Sequence, residues 1–144
     1  MQRRLLGSLL LAACTTPAPN ATLDEMRAAA SSIDFATFAI TGGYPENPAP
    51  DVRAVASDDL ARGAYEAVLS LTPAAPGTEE SCLGGPPWDY TVEFYRQGVL
   101  ALTAIVDPEC IDVELMSPAG VTADWCDVDA LLDAFGLDKA VVEP

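Results

Sequence analysis

The chain has 144 residues, with seven basic against 22 acidic side chains, no histidine, and half of its residues apolar. That length builds one domain rather than two good cores, and a formal charge of −15 works against nucleic acid, where Lys and Arg on phosphates supply most of the affinity. The absence of histidine removes Ser-His-Asp and Cys-His catalysis, most catalytic zinc sites and imidazole pH switching, so carboxylates are left as the main acid–base groups.

The chain opens with Arg3 and Arg4, continues through a short, mainly apolar stretch from Leu5 to Ala13, and closes it with Leu11-Ala12-Ala13-Cys14. A bilayer core takes about 20 apolar residues to cross as a helix, so this stretch reads as an export signal and not as a span. Its last four residues resemble the lipobox of bacterial lipoprotein signal peptides. The resemblance implies that residues 1–13 are removed and that Cys14 becomes an acylated N-terminus. It also implies that the protein sits in the bacterial cell envelope, on the outer face of the cytoplasmic membrane or on the outer membrane where the cell has one. Two hydrocarbon chains, at about 0.8 kcal/mol per buried methylene, are enough for stable anchoring. The remaining 131 residues would hold five basic and 22 acidic side chains, a net of −17. Such a charge repels anionic headgroups, which makes the lipid on Cys14 the membrane contact. An exported protein partner, especially a basic one, or bound cations stay compatible with it.

Residues 14–32 are expected to be a lipid-anchored tether that begins with the proline-bearing Thr15-Thr16-Pro17-Ala18-Pro19. Thr22 and Glu25 are spaced as a capping box, which predicts a short helix over 23–30. A single α+β domain is expected over 33–144. Ile33, Phe35 and Ala39 alternate loosely as a first strand ending at Gly42-Gly43, and residues 52–56 form a brief second one. Ser57 as cap, Asp58 and Asp59 in the first turn, and Leu60, Ala61, Ala64, Val68 and Leu71 at helical spacing predict a helix that Pro73 stops.

Residues 72–88 form a long Pro- and Gly-rich connection holding Cys82 and ending at Trp88. Connections of this length are functional or tied down; Cys82 could tie it, and Trp88 could present an aromatic anchor to a partner, but a tied loop with Trp88 folded onto the core is the preferred reading. Tyr90, Val92 and Phe94 then alternate with Thr91, Glu93 and Tyr95, residues 99–106 are apolar on both faces, and Ile111, Val113 and Leu115 alternate with Asp112 and Glu114. The expected architecture is a small antiparallel meander with two helices packed on one face. Pairing Phe94 with Leu100 leaves a three-residue loop ending at Gly98. For the last strand the faces pair Leu115 with Val121 whereas the turn pairs Met116 with Val121, and the faces are preferred. Asp127 caps a final helix of Val128, Leu131, Leu132 and Phe135, closed by Gly136.

With Cys14 consumed by lipid, Cys82, Cys110 and Cys126 allow three pairings and leave one thiol over. The meander brings all three to one end of the sheet, and the face-matched register sets Cys110 opposite Cys126. Cys82 to Cys110 is the preferred disulfide, because it would staple the long connection to the sheet; closing that loop is worth about 3–4 kcal/mol in the chain-entropy model. Leu71-Thr72-Pro73, Cys82, the aromatic strand from Tyr90 to Phe94 and Cys110 together resemble small exported actinobacterial domains of unassigned activity. In that group the matching two cysteines pair, and Cys126 departs from the pattern.

No phosphate loop, nucleophile elbow or metal-ligand spacing is present, and no cofactor is expected. Asp124, Asp127, Asp129 and Asp133 lack the glycine and closing glutamate of a calcium loop, and read as capping and solvated groups. A glycosidase-like pair of carboxylates could be drawn from Glu93, Asp112 or Glu114 on the outer sheet face, although a small domain without a deep cleft makes it a poor fit. The reading that follows is a non-enzymatic binding or structural module of the envelope. Its alternatives are an inhibitor or accessory subunit of another exported protein, using the loop around Trp88, and a small carboxylate enzyme.

Overall fold

The computed structural model describes residues 23–71, 87–108, 112–116, 123–124 and 126–142. Seven strands run antiparallel: β1 (Phe35–Tyr44), β2 (Asn47–Pro48), β3 (Arg53–Ser57), β4 (Trp88–Arg96), β5 (Val99–Asp107), β6 (Asp112–Met116) and β7 (Ala123–Asp124). β4 to β7 form the meander, and β1 lies against the other side of β4. The outer edge of β1 is shared, with β3 along residues 35–39 and the two-residue β2 along residues 43–44. The helices are α1 (Leu23–Ala28), α2 (Asp58–Leu69), α3 (Val128–Ala134) and α4 (Lys139–Val142), with a 3-10 turn over Ala30–Ser32. The class is α+β; the two main helices and the short one expected over 23–30 are present, the last as Leu23–Ala28, and α4 is added to them. The anticipated disulfide falls on Cys82 and Cys110, which lie outside the described residues, as do the leader, Cys14 and the 72–86 connection.

Alternation explains the layer arrangement. Ala36, Phe38 and Ile40 of β1, Tyr90, Val92 and Phe94 of β4, Leu102, Ala104 and Val106 of β5, and Val113 and Leu115 of β6 are all buried on one face. α2 and α3 lie on that face. Tyr65 of α2 meets Phe94 edge-on with ring centroids 5.1 Å apart, and Phe135, just after α3, meets Phe38 at 5.4 Å. The stripe of α2 is wider than its spacing implied: Tyr65, Ala67 and Leu69 join Ala61, Ala64 and Val68 in the core, while Leu60 is exposed.

Three local features depart from expectation. Gly42 and Gly43 carry β1 onward instead of ending it, with φ of +94° and +88°. A Cβ at Gly43 would lie 2.5 Å from the Ala49 backbone nitrogen, so the turn toward β2 closes only around a residue without a side chain. The β4–β5 hairpin closes through two residues, not three: Arg96 pairs with Val99, and Gln97 and Gly98 both have positive φ, the signature of a primed turn matched to strand twist. A shift in register follows, so that Tyr95 pairs with Leu100 and Phe94 with Leu102. In the last hairpin Val113 pairs with Asp124 and Glu114 with Ala123. That is the turn-derived register, one residue off the preferred face-matched one, and the opposition of Cys110 and Cys126 goes with it. A two-residue strand beginning at an alanine specifies its faces too weakly to override the turn.

The segment assigned to the tether contributes to the core. Met26, Ala30 and Ile33 are buried, Tyr65 Oη donates to the Met26 carbonyl at 2.9 Å, and Arg27 donates through Nε and Nη2 to the Leu69 carbonyl at 3.0 and 2.8 Å. That guanidinium satisfies a carbonyl at the end of α2 that has no helical partner. The folded unit therefore reaches back at least to Leu23. At the other end Asp127 accepts from the Ala130 nitrogen at 3.0 Å. Leu137 N to Leu132 O and Gly136 N to Asp133 O, both 3.0 Å, close α3 as a Schellman motif.

Two outcomes follow in urea denaturation. Phe94→Ala should cost about 3–5 kcal/mol, the usual loss for a fully buried aromatic side chain. Gly43→Ala should cost clearly more than Gly98→Ala, because both sites carry positive φ but only the first would also collide with backbone.

Candidate functional site

Among the described residues no helix lies over the other face of the sheet, and pairing arranges its side chains in four rows. The first holds Phe35, Tyr95 and Leu100; the second Val55, Thr37, Glu93, Thr103 and Met116; the third Arg53, Ala39, Thr91, Ile105 and Glu114. The fourth holds Thr41 and Asp89, with Asp107 next in register and Asp112 opposite Asp107. The face therefore runs from aromatic and aliphatic to acidic over about 20 Å, at about 6.7 Å per two residues of strand.

At the apolar end Phe35 and Tyr95 lie with ring centroids 5.9 Å apart. Val55 is 64% exposed, Met116 48%, Leu100 47% and Phe35 37%. The middle is a set of lateral polar contacts: Tyr95 Oη donates to Glu93 Oε2 at 2.6 Å, Thr37 Oγ1 lies 3.5 Å from the same oxygen, and the Thr41 and Thr91 hydroxyls are 2.8 Å apart. Because its proton is held by Glu93, the Tyr95 hydroxyl ionises above its ordinary range. At the acidic end partial burial pushes the Asp89 carboxyl up, and repulsion from Asp107 and Glu114 pushes it further.

Sequence reasoning placed Glu93 and Glu114 on this outer face, and they are there. The structure does not bring them together as a catalytic pair: two strands and one row separate them, about 12 Å between Cα atoms by ordinary sheet spacing, and Glu93 is engaged by Tyr95. For Asp112 only the register position is described. Among the described residues, no three carboxylates or thiols converge to hold a metal ion. Asp127 is a helix cap and Asp129 belongs to the exposed first turn of α3.

Trp88 is only 7% exposed and belongs to the core cluster. That takes it out of the role of exposed partner anchor; its Nε1 has no hydrogen-bond partner. Cys126 is a free, buried thiol whose pKa burial pushes up to about 12, so it is inert rather than poised for redox chemistry. The alternation of β4 already contained the residues overlooked earlier, Asp89 and Tyr95, on the strand phase opposite to Tyr90, Val92 and Phe94. Phe35 and Leu100 were read as core, and only the pairing turns them outward.

Comparison with known proteins adds no relative: no family model, no curated protein and no solved structure matches the chain.

The raised Asp89 carboxyl gives a signed pH effect. The folded state binds this proton more tightly than the unfolded chain, so Asp89 destabilises the fold above its ordinary value of 3.8, and the penalty vanishes as pH falls below it. Asp89→Asn should therefore unfold at a higher temperature than the parent at pH 7. The gap should close on acidification toward pH 3 in a melting series.

Proposed function

We propose that this chain is a lipoprotein of the bacterial cell envelope, fastened through acylated Cys14, and that its domain is a non-enzymatic binding or structural module. Its docking surface is the helix-free face of the sheet. The observation that carries the second half is the exposure of Phe35, Val55, Leu100 and Met116 together on that face. Contiguous apolar surface rimmed by polar groups is the usual mark of an interaction site. The first half rests on Arg3-Arg4, the short apolar stretch and Leu11-Ala12-Ala13-Cys14. Among the described residues no helix is long and apolar enough to cross a membrane, so attachment is assigned to the lipid.

A disulfide between Cys82 and Cys110 completes this reading, and the free thiol of Cys126 supports it by leaving those two as partners. Tying the 72–86 connection to the sheet stabilises a small exported domain by the loop-closure argument.

Cys14→Ser should shift the protein from the membrane pellet to the soluble fraction, or leave the leader uncleaved; unchanged membrane fractionation would refute the anchor. Alkylation followed by peptide mass analysis tests the thiols. Cys126 should label on denaturation alone, whereas Cys82 and Cys110 should label only after reduction.

A further inference from the structure

We propose that α1 is a strap: it undocks from α2 about the turn at residues 29–32 while the sheet stays folded, and so lengthens the chain between the domain and Cys14. The change in reach rests on Cys14 as the attachment point; the undocking itself does not.

The hold on α1 is local and largely polar. The helix has six residues, Leu23–Ala28, and buries the side chain of Met26; a helix of that length does not persist by itself in water. Its docking depends on α2. Tyr65 Oη donates to the Met26 carbonyl at 2.9 Å, and Arg27 Nε and Nη2 donate to the Leu69 carbonyl at 3.0 and 2.8 Å. Both bonds join a side chain to a main-chain oxygen that water can also satisfy, so exchanging them for water costs little net free energy. Beside these clamps lies a cleft of about 310 Å³, lined by Arg27, Ala30, Tyr65, Glu66, Leu69 and Ser70. Core interiors are packed to crystal-like density; the seam between α1 and α2, which borders this cleft, is looser.

The hinge is in place as well. Ala30–Ser32 is a single 3-10 turn between α1 and β1, a short connector of the kind that often marks a hinge. Beyond it the chain is fixed: Ile33 is 1% exposed, and the Asp34 nitrogen donates to the Tyr95 carbonyl at 3.1 Å. Local opening draws on elements with few buried apolar contacts, and the passage from few to many falls at Ile33. With α1 docked, nine steps separate Cys14 from Leu23, a reach of about 30 Å at full extension. With α1 undocked, the free chain runs nineteen steps to Ile33, about 65 Å. The docked strap keeps the domain close to its anchor, and the open one roughly doubles the distance at which it can meet a partner.

Amide hydrogen exchange, followed by NMR on the full chain in detergent micelles over a range of urea concentrations below the unfolding transition, tests this. Amides of residues 27–29 should exchange more slowly than an unfolded peptide but about a hundredfold or more faster than residues 90–94 of the central strand β4. Their rates should scarcely respond to urea, because undocking exposes little surface, whereas those of β4 should rise steeply. Arg27→Gln should speed exchange at 27–29 about tenfold and Tyr65→Phe about threefold. Val106→Ala, which weakens the sheet equally whether α1 is docked or open, should speed 90–94 about tenfold or more and leave 27–29 unchanged. The proposal is overturned if 27–29 follow β4 in urea slope or in their response to Val106→Ala, since α1 then opens only when the whole domain unfolds. Unprotected exchange at 27–29 in the parent, or rates there indifferent to both clamp variants, would overturn it too. Cys14→Ser should leave all these rates unchanged, so a failure of the anchor, read by membrane fractionation, is distinct from a failure of the strap.

Discussion

Everything on both faces of the sheet depends on one extra residue in β5. The tight turn at Gln97 and Gly98 pairs Arg96 with Val99 and Tyr95 with Leu100. Continued without interruption, that register would set Ala101 opposite Phe94 and turn Thr103, Ile105 and Asp107 toward the helices, with Leu102, Ala104 and Val106 outward. The bulge at residues 100–101 resets the phase, so that Leu102 meets Phe94 and the apolar set returns to the core. It also keeps Asp107 beside Asp89 on the open side. A side-chain period of two makes such a reset all-or-none, since a one-residue slip moves every residue to the other face.

This is also where the sequence was readable and where it was not. The alternation of Tyr90, Val92 and Phe94 predicted the buried face of β4 directly, and the stripes of α2 and α3 predicted both main helices; Asp127 caps α3 as expected, whereas Ser57 stands at the start of α2 without a side-chain capping bond. Matching Phe94 to Leu100 on the buried face gave the right phase for Leu102, Ala104 and Val106, but the turn of β5 was misread, because a bulge has no residue signature when every candidate is apolar. Leu100 was accordingly assigned to the core that Leu102 occupies. The last hairpin failed in the opposite sense: the turn at residues 117–120 was the better guide than the faces. Glu93 and Glu114 could be placed on the open side by parity alone. Their company could not, because Phe35 comes beside Tyr95, and Thr41 beside Asp89, only through the pairing of β1 with β4, a contact between residues far apart in the chain. Trp88 lies in the core as preferred, although the anchor alternative had the same local sequence.

Several polar groups of the open face bond one another laterally. Tyr95 donates to Glu93, and the Thr41 and Thr91 hydroxyls share a proton across strands. Cross-strand contacts of this sort stabilise a sheet by tenths of a kcal/mol each, and they cost nothing in solubility. The acidic end contributes repulsion, which is unfavourable for the isolated fold but guards an exposed apolar row against self-association. A sheet edge or face that would otherwise be sticky is commonly protected by charge in this way.

The position of α1 gives the proposed anchor a direction. Tyr65 and Arg27 clamp α1 to α2 through the Met26 and Leu69 carbonyls, and α2 lies on the covered face of the sheet. The chain therefore enters the domain from the helical layer. With Cys14 as the attachment point, nine residue steps separate it from Leu23, a reach of about 30 Å at full extension. That is enough to stand the domain off a bilayer but short enough to favour the helical side toward it. In the proposed lipid-anchored state the acidic, aromatic-edged face would be the one turned from the membrane, where repulsion from anionic headgroups is least. The proposed anchor joins the domain on the covered layer and the proposed docking surface lies on the other side of the sheet, so the two are geometrically compatible.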